Sequence, residues 1–118
     1  MQHAKYSIGQ IIHHRKFDYR GVIFDVDAAF AGTNDWYDAV AKSKPPKDEP
    51  WYHVLVDNSQ QTTYVAEKNI EFNKSVSPIE HPLVNYYFNK FIDGYYHHNN
   101  TNYCSGISTC HSKRLNEL

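Results

Sequence analysis

Asp25 and Asp27 stand two residues apart at the end of an apolar stretch. A carboxylate pair at that spacing could hold a divalent cation or divide acid and base roles. Acids that alternate at a strand's end are more commonly a solvated edge or partners for lysines, and that is the expectation for this pair. His53 lies inside an apolar run, where a hydrogen-bonded core imidazole is the commoner outcome than a catalyst. Cys104, Cys110 and His111 follow His97 and His98. Five residues separate the thiols and no second knuckle accompanies them, so the spacing does not match a structural zinc site. No Gly-x-Ser-x-Gly elbow and no phosphate-binding loop occurs. These patterns predict no catalytic residue, no metal and no cofactor.

What the chain has in excess is aromatic surface, with ten tyrosines and 15% aromatic residues overall. Trp36, Tyr37, Phe88 and Phe91 are the candidate anchors for a protein partner, because aromatics combine contact area with a polar handle and dominate interfaces. The competing reading is ordinary packing over a small domain. Arg15, Lys16 and Arg20 form the best local patch for DNA phosphates. A net charge of -1 supplies no global field toward nucleic acid, so any DNA binding should be weak and salt-sensitive. Eight histidines would turn the balance positive in mild acid.

The elements that must position these residues centre on Pro50-Trp51-Tyr52-His53-Val54-Leu55-Val56-Asp57, a short β-branched and aromatic run between turn-forming residues. Strands are expected over 7–14 and 19–27, the second with Val22, Phe24 and Val26 facing the core and the acids opposite. A long loop over 28–49 carries a two-turn helix capped by Asn34 and stopped by Pro45-Pro46. A hairpin to residues 62–67 and a short strand near 70–72 complete a mainly β domain, a small barrel of about five strands over 1–76. Apolar residues from Leu83 to Tyr95 recur at helical spacing, with Pro82 at the start and Gly94 at the end, which predicts an α-helix within 77–96. The polar tail, 97–118, is expected to be mobile and its cysteines free. With no signal-peptide pattern and no apolar run long enough to span a membrane, a cytoplasmic location is expected.

Ile8-Gly9-Gln10, Tyr19-Arg20-Gly21-Val22-Ile23, the Pro-Trp-Tyr-His block at 50–53 and Thr63-Tyr64-Val65-Ala66-Glu67 together resemble the YccV-like, hemimethylated-DNA-binding domain family. The resemblance covers about residues 6–72, and His81-Pro82-Leu83-Val84 looks like the segment that follows in some members. It implies an SH3-like barrel without catalytic activity. Gly9, Tyr19, Gly21, Trp51, Tyr52, His53 and Tyr64 are its signature positions. It also implies one of two roles that its members hold. One is that of heat shock protein, as an adaptor or specificity factor that brings denatured substrates to an ATP-dependent, Lon-type protease; a homo-oligomer is left open by the sequence. The other is recognition of hemimethylated DNA. The low net charge and the aromatic surface lean toward the first.

Overall fold

The computed structural model describes residues 4–41 and 44–98. Five strands, β1 (Ile11–His14), β2 (Arg20–Asp27), β3 (Trp51–Val56), β4 (Thr62–Ala66) and β5 (Ile70–Phe72), form one antiparallel sheet in the order β4-β3-β2-β1-β5. Ile12, Ile23, Tyr52, Val54, Val65 and Ile70 draw on all five strands and meet in one buried cluster, so the sheet coils around it. The closed barrel expected from the sequence is not completed by hydrogen bonds, because β4 and β5 are the two ends of the ladder. A single 3-10 turn, Glu67–Asn69, joins them. The opposite face of the sheet is covered too, with Ile11, Val22, Phe24 and Leu55 packed under Ile79, Phe88 and Tyr96. Burial on both faces explains why Gly21–Asp25 are buried without interruption rather than in alternation.

The register of β2 shifts between Ile23 and Asp25, which pair with Val54 and His53 respectively. Such a bulge places two residues of one strand opposite one of the other and reverses the alternation beyond it. Val26 therefore packs with Ile23 and not, as expected, with Val22 and Phe24. Asp25 arrives opposite His53 and is only 8% exposed. The solvated edge expected of the acids is thus corrected to a cross-strand polar cluster.

Between β2 and β3 the chain folds back over the sheet. Helix α1 (Asn34–Val40) is capped by Thr33, whose hydroxyl accepts from the Trp36 amide at 3.1 Å, so the cap lies one residue before the expected Asn34. The Tyr37 hydroxyl donates to the Pro45 carbonyl at 2.6 Å and the Trp51 indole to that of Pro46 at 3.0 Å. The two prolines thereby pull the loop onto Trp51, which is 1% exposed.

The helix expected over 83–94 is a single turn, α2 (Val84–Tyr87), followed by a hairpin of β6 (Lys90–Ile92) and β7 (Tyr95–His97). Asp93 and Gly94 both have positive φ, 54° and 83°, the two-residue turn that an Asp-Gly pair favours between strands. Flanking β-formers on both sides of that pair outweigh the helical spacing, and Phe91 stacks across the hairpin on Tyr96. Beyond His98 the tail expected to be mobile, with Cys104, Cys110 and His111, lies outside the described residues.

This C-terminal segment is fastened by Arg20. Its Nε donates to Asp57 Oδ2 at 2.8 Å, and its terminal nitrogens donate to the Ser77 and Pro78 carbonyls, each at 2.8 Å. The other Asp57 oxygen accepts from the Glu80 amide at 2.7 Å. Ile79 is thereby seated in the core, and its amide donates to the Tyr96 hydroxyl at 2.8 Å. At the far side the Tyr96 amide donates to the Gly9 carbonyl at 2.9 Å. Gly9 has φ +94°, and a Cβ there would lie 2.1 Å from the Tyr96 carbonyl oxygen.

Arg20→Ala should cost roughly 2–4 kcal/mol, somewhat less than a fully buried ion pair broken on one side, since the side chains keep 19% and 11% exposure. The loss should be localised, with hydrogen exchange accelerating first at Ile79, Glu80 and Tyr96. Arg20→Lys should not restore protection, because a single ammonium cannot reproduce a fork that serves three acceptors.

Candidate binding cleft and its polar floor

Strand β4 is an edge. Val56 donates to the Gln61 carbonyl and Glu67 to that of Pro50, so the odd-numbered residues of this segment bond to β3. That parity turns the peptide groups of Thr62, Tyr64 and Ala66 toward the free side. A cleft of about 650 Å³ runs along it, walled by Trp36 and Val40 of α1, by His14, Phe17 and Tyr19 of the β1–β2 connection, and by His53 and the Gln61–Val65 segment itself. Val40 and Phe17 are 54% and 73% exposed, so apolar surface is open at both rims.

The floor at one end is polar. Asp27 Oδ2 accepts from the Tyr64 hydroxyl at 2.7 Å and stands 3.0 Å from His53 Nε2. The Tyr64 ring lies over the imidazole at 4.5 Å between centroids, and its hydroxyl oxygen accepts from the Ala31 amide at 2.9 Å. Burial and then the hydrogen bond to Asp27 raise the Tyr64 pKa. Along the cleft, Tyr19 and Thr63 share a hydroxyl bond of 2.7 Å, and burial raises the Tyr19 pKa as well.

The pKa values of two adjacent histidines, of which His14 lines the cleft, are shifted in opposite directions. His13 bridges Asp18 at 2.6 Å and Glu71 at 2.8 Å, and the bond to Asp18 raises its pKa above the ordinary 6.5. His14 is buried, and its Nδ1 accepts from the amides of Lys16 and Phe17, each at 3.1 Å. Burial first, and then the charges of His13 and Lys16, lower its pKa.

The sequence-derived site residues divide by position. Among the four partner candidates only Trp36 lines the cleft; Tyr37 and Phe88 are buried, and Phe91 is half-buried against Tyr96. Among the three DNA candidates Arg15 and Lys16 are exposed on the turn after β1, while the guanidinium of Arg20 is committed to the clamp. Of the signature positions, Gly9 and Gly21 admit close backbone approach, a Cβ on Gly21 meeting the Leu55 carbonyl at 2.5 Å. Trp51 anchors the loop, and the Tyr52 hydroxyl donates to Glu67 at 2.5 Å. Tyr19, His53 and Tyr64 face the cleft. Sequence reasoning missed His14, Phe17, Val40 and Thr63 as cleft residues, and missed that Asp27, His53 and Tyr64 converge. The only signal for the convergence was an Asp-x-Asp pair at the end of one strand and a histidine within the strand expected to pack on it.

A family model described as hemimethylated DNA-binding protein YccV like matches residues 4–95, and the chain belongs to the YccV-like family. The match runs past residue 72 through the clamped segment. F-box only protein 21 of Homo sapiens and that of Pongo abelii are each 32% identical over 93 residues, and that of Mus musculus 31%. Those 93 residues are 77% of this chain and 15% of each relative, so the chain matches one stretch of much longer proteins. No helix among the described residues is long and apolar enough to cross a membrane.

The paired histidines give opposite pH signatures. The raised His13 contributes stability that is fully present below about pH 6.5 and lost as pH rises through its folded value. The lowered His14 contributes stability present above about pH 6.5 and lost as pH falls through its folded value. Between pH 5 and 8, melting curves should show His13→Gln most harmful at the acid end, and His14→Asn losing its disadvantage there. Parallel offsets at every pH would contradict both assignments.

Proposed function

We propose that this YccV-like domain is a non-enzymatic binding module that takes an extended segment of a denatured protein along the β4 edge and acts as an adaptor for its ATP-dependent proteolysis. The observation that carries the reading is the β4 edge itself. Its outward peptide groups can extend the ladder by one strand, and the cleft walls beside it can take apolar side chains. Main-chain bonds give affinity without sequence preference, which suits a binder of many unfolded chains. The relatives, in which the matched stretch is a small part of a longer protein, support a module that works alongside other parts. The coiling of five strands around one cluster supports grouping the sheet with SH3-like barrels, and the setting is cytoplasmic in this reading. A second copy could pair through the same edge.

A second reading, hemimethylated-DNA recognition, is favoured by the family's description and by exposed Arg15 and Lys16. With Arg20 occupied, two phosphate contacts remain, and log K for duplex DNA should fall against log salt with a slope of about -1.8.

Stimulation of protease degradation of a heat-denatured substrate should be reduced at least several-fold by Trp36→Ala or by Thr62→Pro, which removes an outward N–H of the edge and no bond to β3, with melting temperature reported alongside. Arg15→Ala with Lys16→Ala should leave stimulation unchanged. Loss of stimulation only in the Arg15/Lys16 variant, together with a preference for hemimethylated over unmethylated duplex in the wild type, would reverse the ranking of the two readings.

A further inference from the structure

Asp25, Asp27 and His53 each direct one donor atom to a common region of the sheet face, all within 4.8 Å of one another. The arrangement is made by the bulge in β2. Without it Asp25 and Asp27 would lie on the face opposite His53; with it they share that face, with Asp25 directly across the ladder from the imidazole. His53 Nε2 and Asp27 Oδ2 already stand 3.0 Å apart. Donors on one first-row cation stand about 3 Å apart when bonds of about 2.1 Å meet near right angles. His53 also lines the cleft, so the group borders it. Asp25 is 8% exposed, so the group is set into the sheet rather than scattered on a surface.

We propose that Asp25, Asp27 and His53 form a binding site for a divalent first-row cation whose further coordination positions face the β4 cleft. One imidazole with two carboxylates is a borderline-to-hard donor set, suited to manganese, iron or zinc and not to soft monovalent copper. The cation takes the place of the proton shared between His53 and Asp27, and Tyr64, bonded to Asp27, becomes an outer partner that orients the carboxylate. A metal with open positions at the cleft floor would accept a carboxylate or carbonyl oxygen from whatever occupies the cleft. The site stands on its own geometry and does not depend on the peptide reading.

Manganese(II) is the suitable probe, because it favours carboxylate and imidazole over the thiolates that Cys104 and Cys110 would offer zinc. In the 118-residue chain labelled with nitrogen-15, titrated Mn2+ should broaden the amides of Asp25, Val26, Asp27, His53 and Tyr64 first and saturably. Asp25→Asn and Asp27→Asn should each weaken the apparent Kd by more than about tenfold, the loss that even an outer partner of a metal ligand produces. His53→Gln should do the same, while Tyr64→Phe should weaken binding less. Broadening centred on Asp18 and Glu71 or on the C-terminal residues, or without saturation, would overturn the proposal in the wild type alone, whatever the variants do to folding. So would an unchanged Kd in folded Asp25→Asn.

Discussion

A single guanidinium decides how much of this chain is one body. Arg20 is the first residue of β2, and its fork reaches a carboxylate after β3 and two carbonyls of the segment that leaves the sheet. Together with the Asn58 amide on the Glu80 carbonyl, those bonds hold the stretch 75–80 across the sheet, in which only Ile79 is apolar and buried. With them, Ile79, Phe88 and Tyr96 roof the face formed by Ile11, Val22 and Leu55. Three acceptors around one delocalised cation also meet the desolvation cost of placing it there. The return contact at Gly9 closes the circuit, since Tyr96 meets the residue two before β1 through a backbone hydrogen bond that leaves no space for a side chain.

The sheet was legible because its strands obey local rules. The β3 run, its turn at Asp57-Asn58 and the following Thr-Thr-Tyr-Val-Ala all carry β-formers between turn residues, and β3 and β4 occupy those places. The C-terminal segment was not legible, for a reason that lies in the residues. Leu83, Val84, Tyr87, Phe88 and Phe91 satisfy helical spacing, yet Asp93-Gly94 between pairs of β-formers encodes a hairpin. A periodicity count weighs only the first. Arg20 was misread for a related reason, since a basic residue near Arg15 and Lys16 looks like part of a patch. Its three acceptors come from residues 57, 77 and 78, which no local window contains.

The long loop shows how packing and access are divided between neighbouring aromatics. Trp36 and Tyr37 are adjacent on α1, so they point to different sides of the helix. Tyr37 is held by the Pro45 carbonyl and covers Trp51. Trp36 stacks on Phe30 and keeps one side in the cleft. Of the two, Tyr37 belongs to the core, while Trp36 packs on the same cluster from outside and lines the cleft.

The bulge at Phe24 has the widest chemical consequence of any local feature. In a regular ladder Phe24 and Asp25 would face opposite ways, and the two acids would stand on the face that instead holds Ile23, Tyr52 and Val54. Carboxylates there would be buried in an apolar cluster at a cost of several kcal/mol each. One inserted residue removes that conflict, because it keeps Ile23 and Val26 inside and carries Asp25 and Asp27 to His53 and Tyr64. Phe24 keeps the Val22 side, where alternation alone would place it, and packs on Tyr87 at 4.7 Å. A substitution that straightened β2 would have to turn both acids into the apolar cluster.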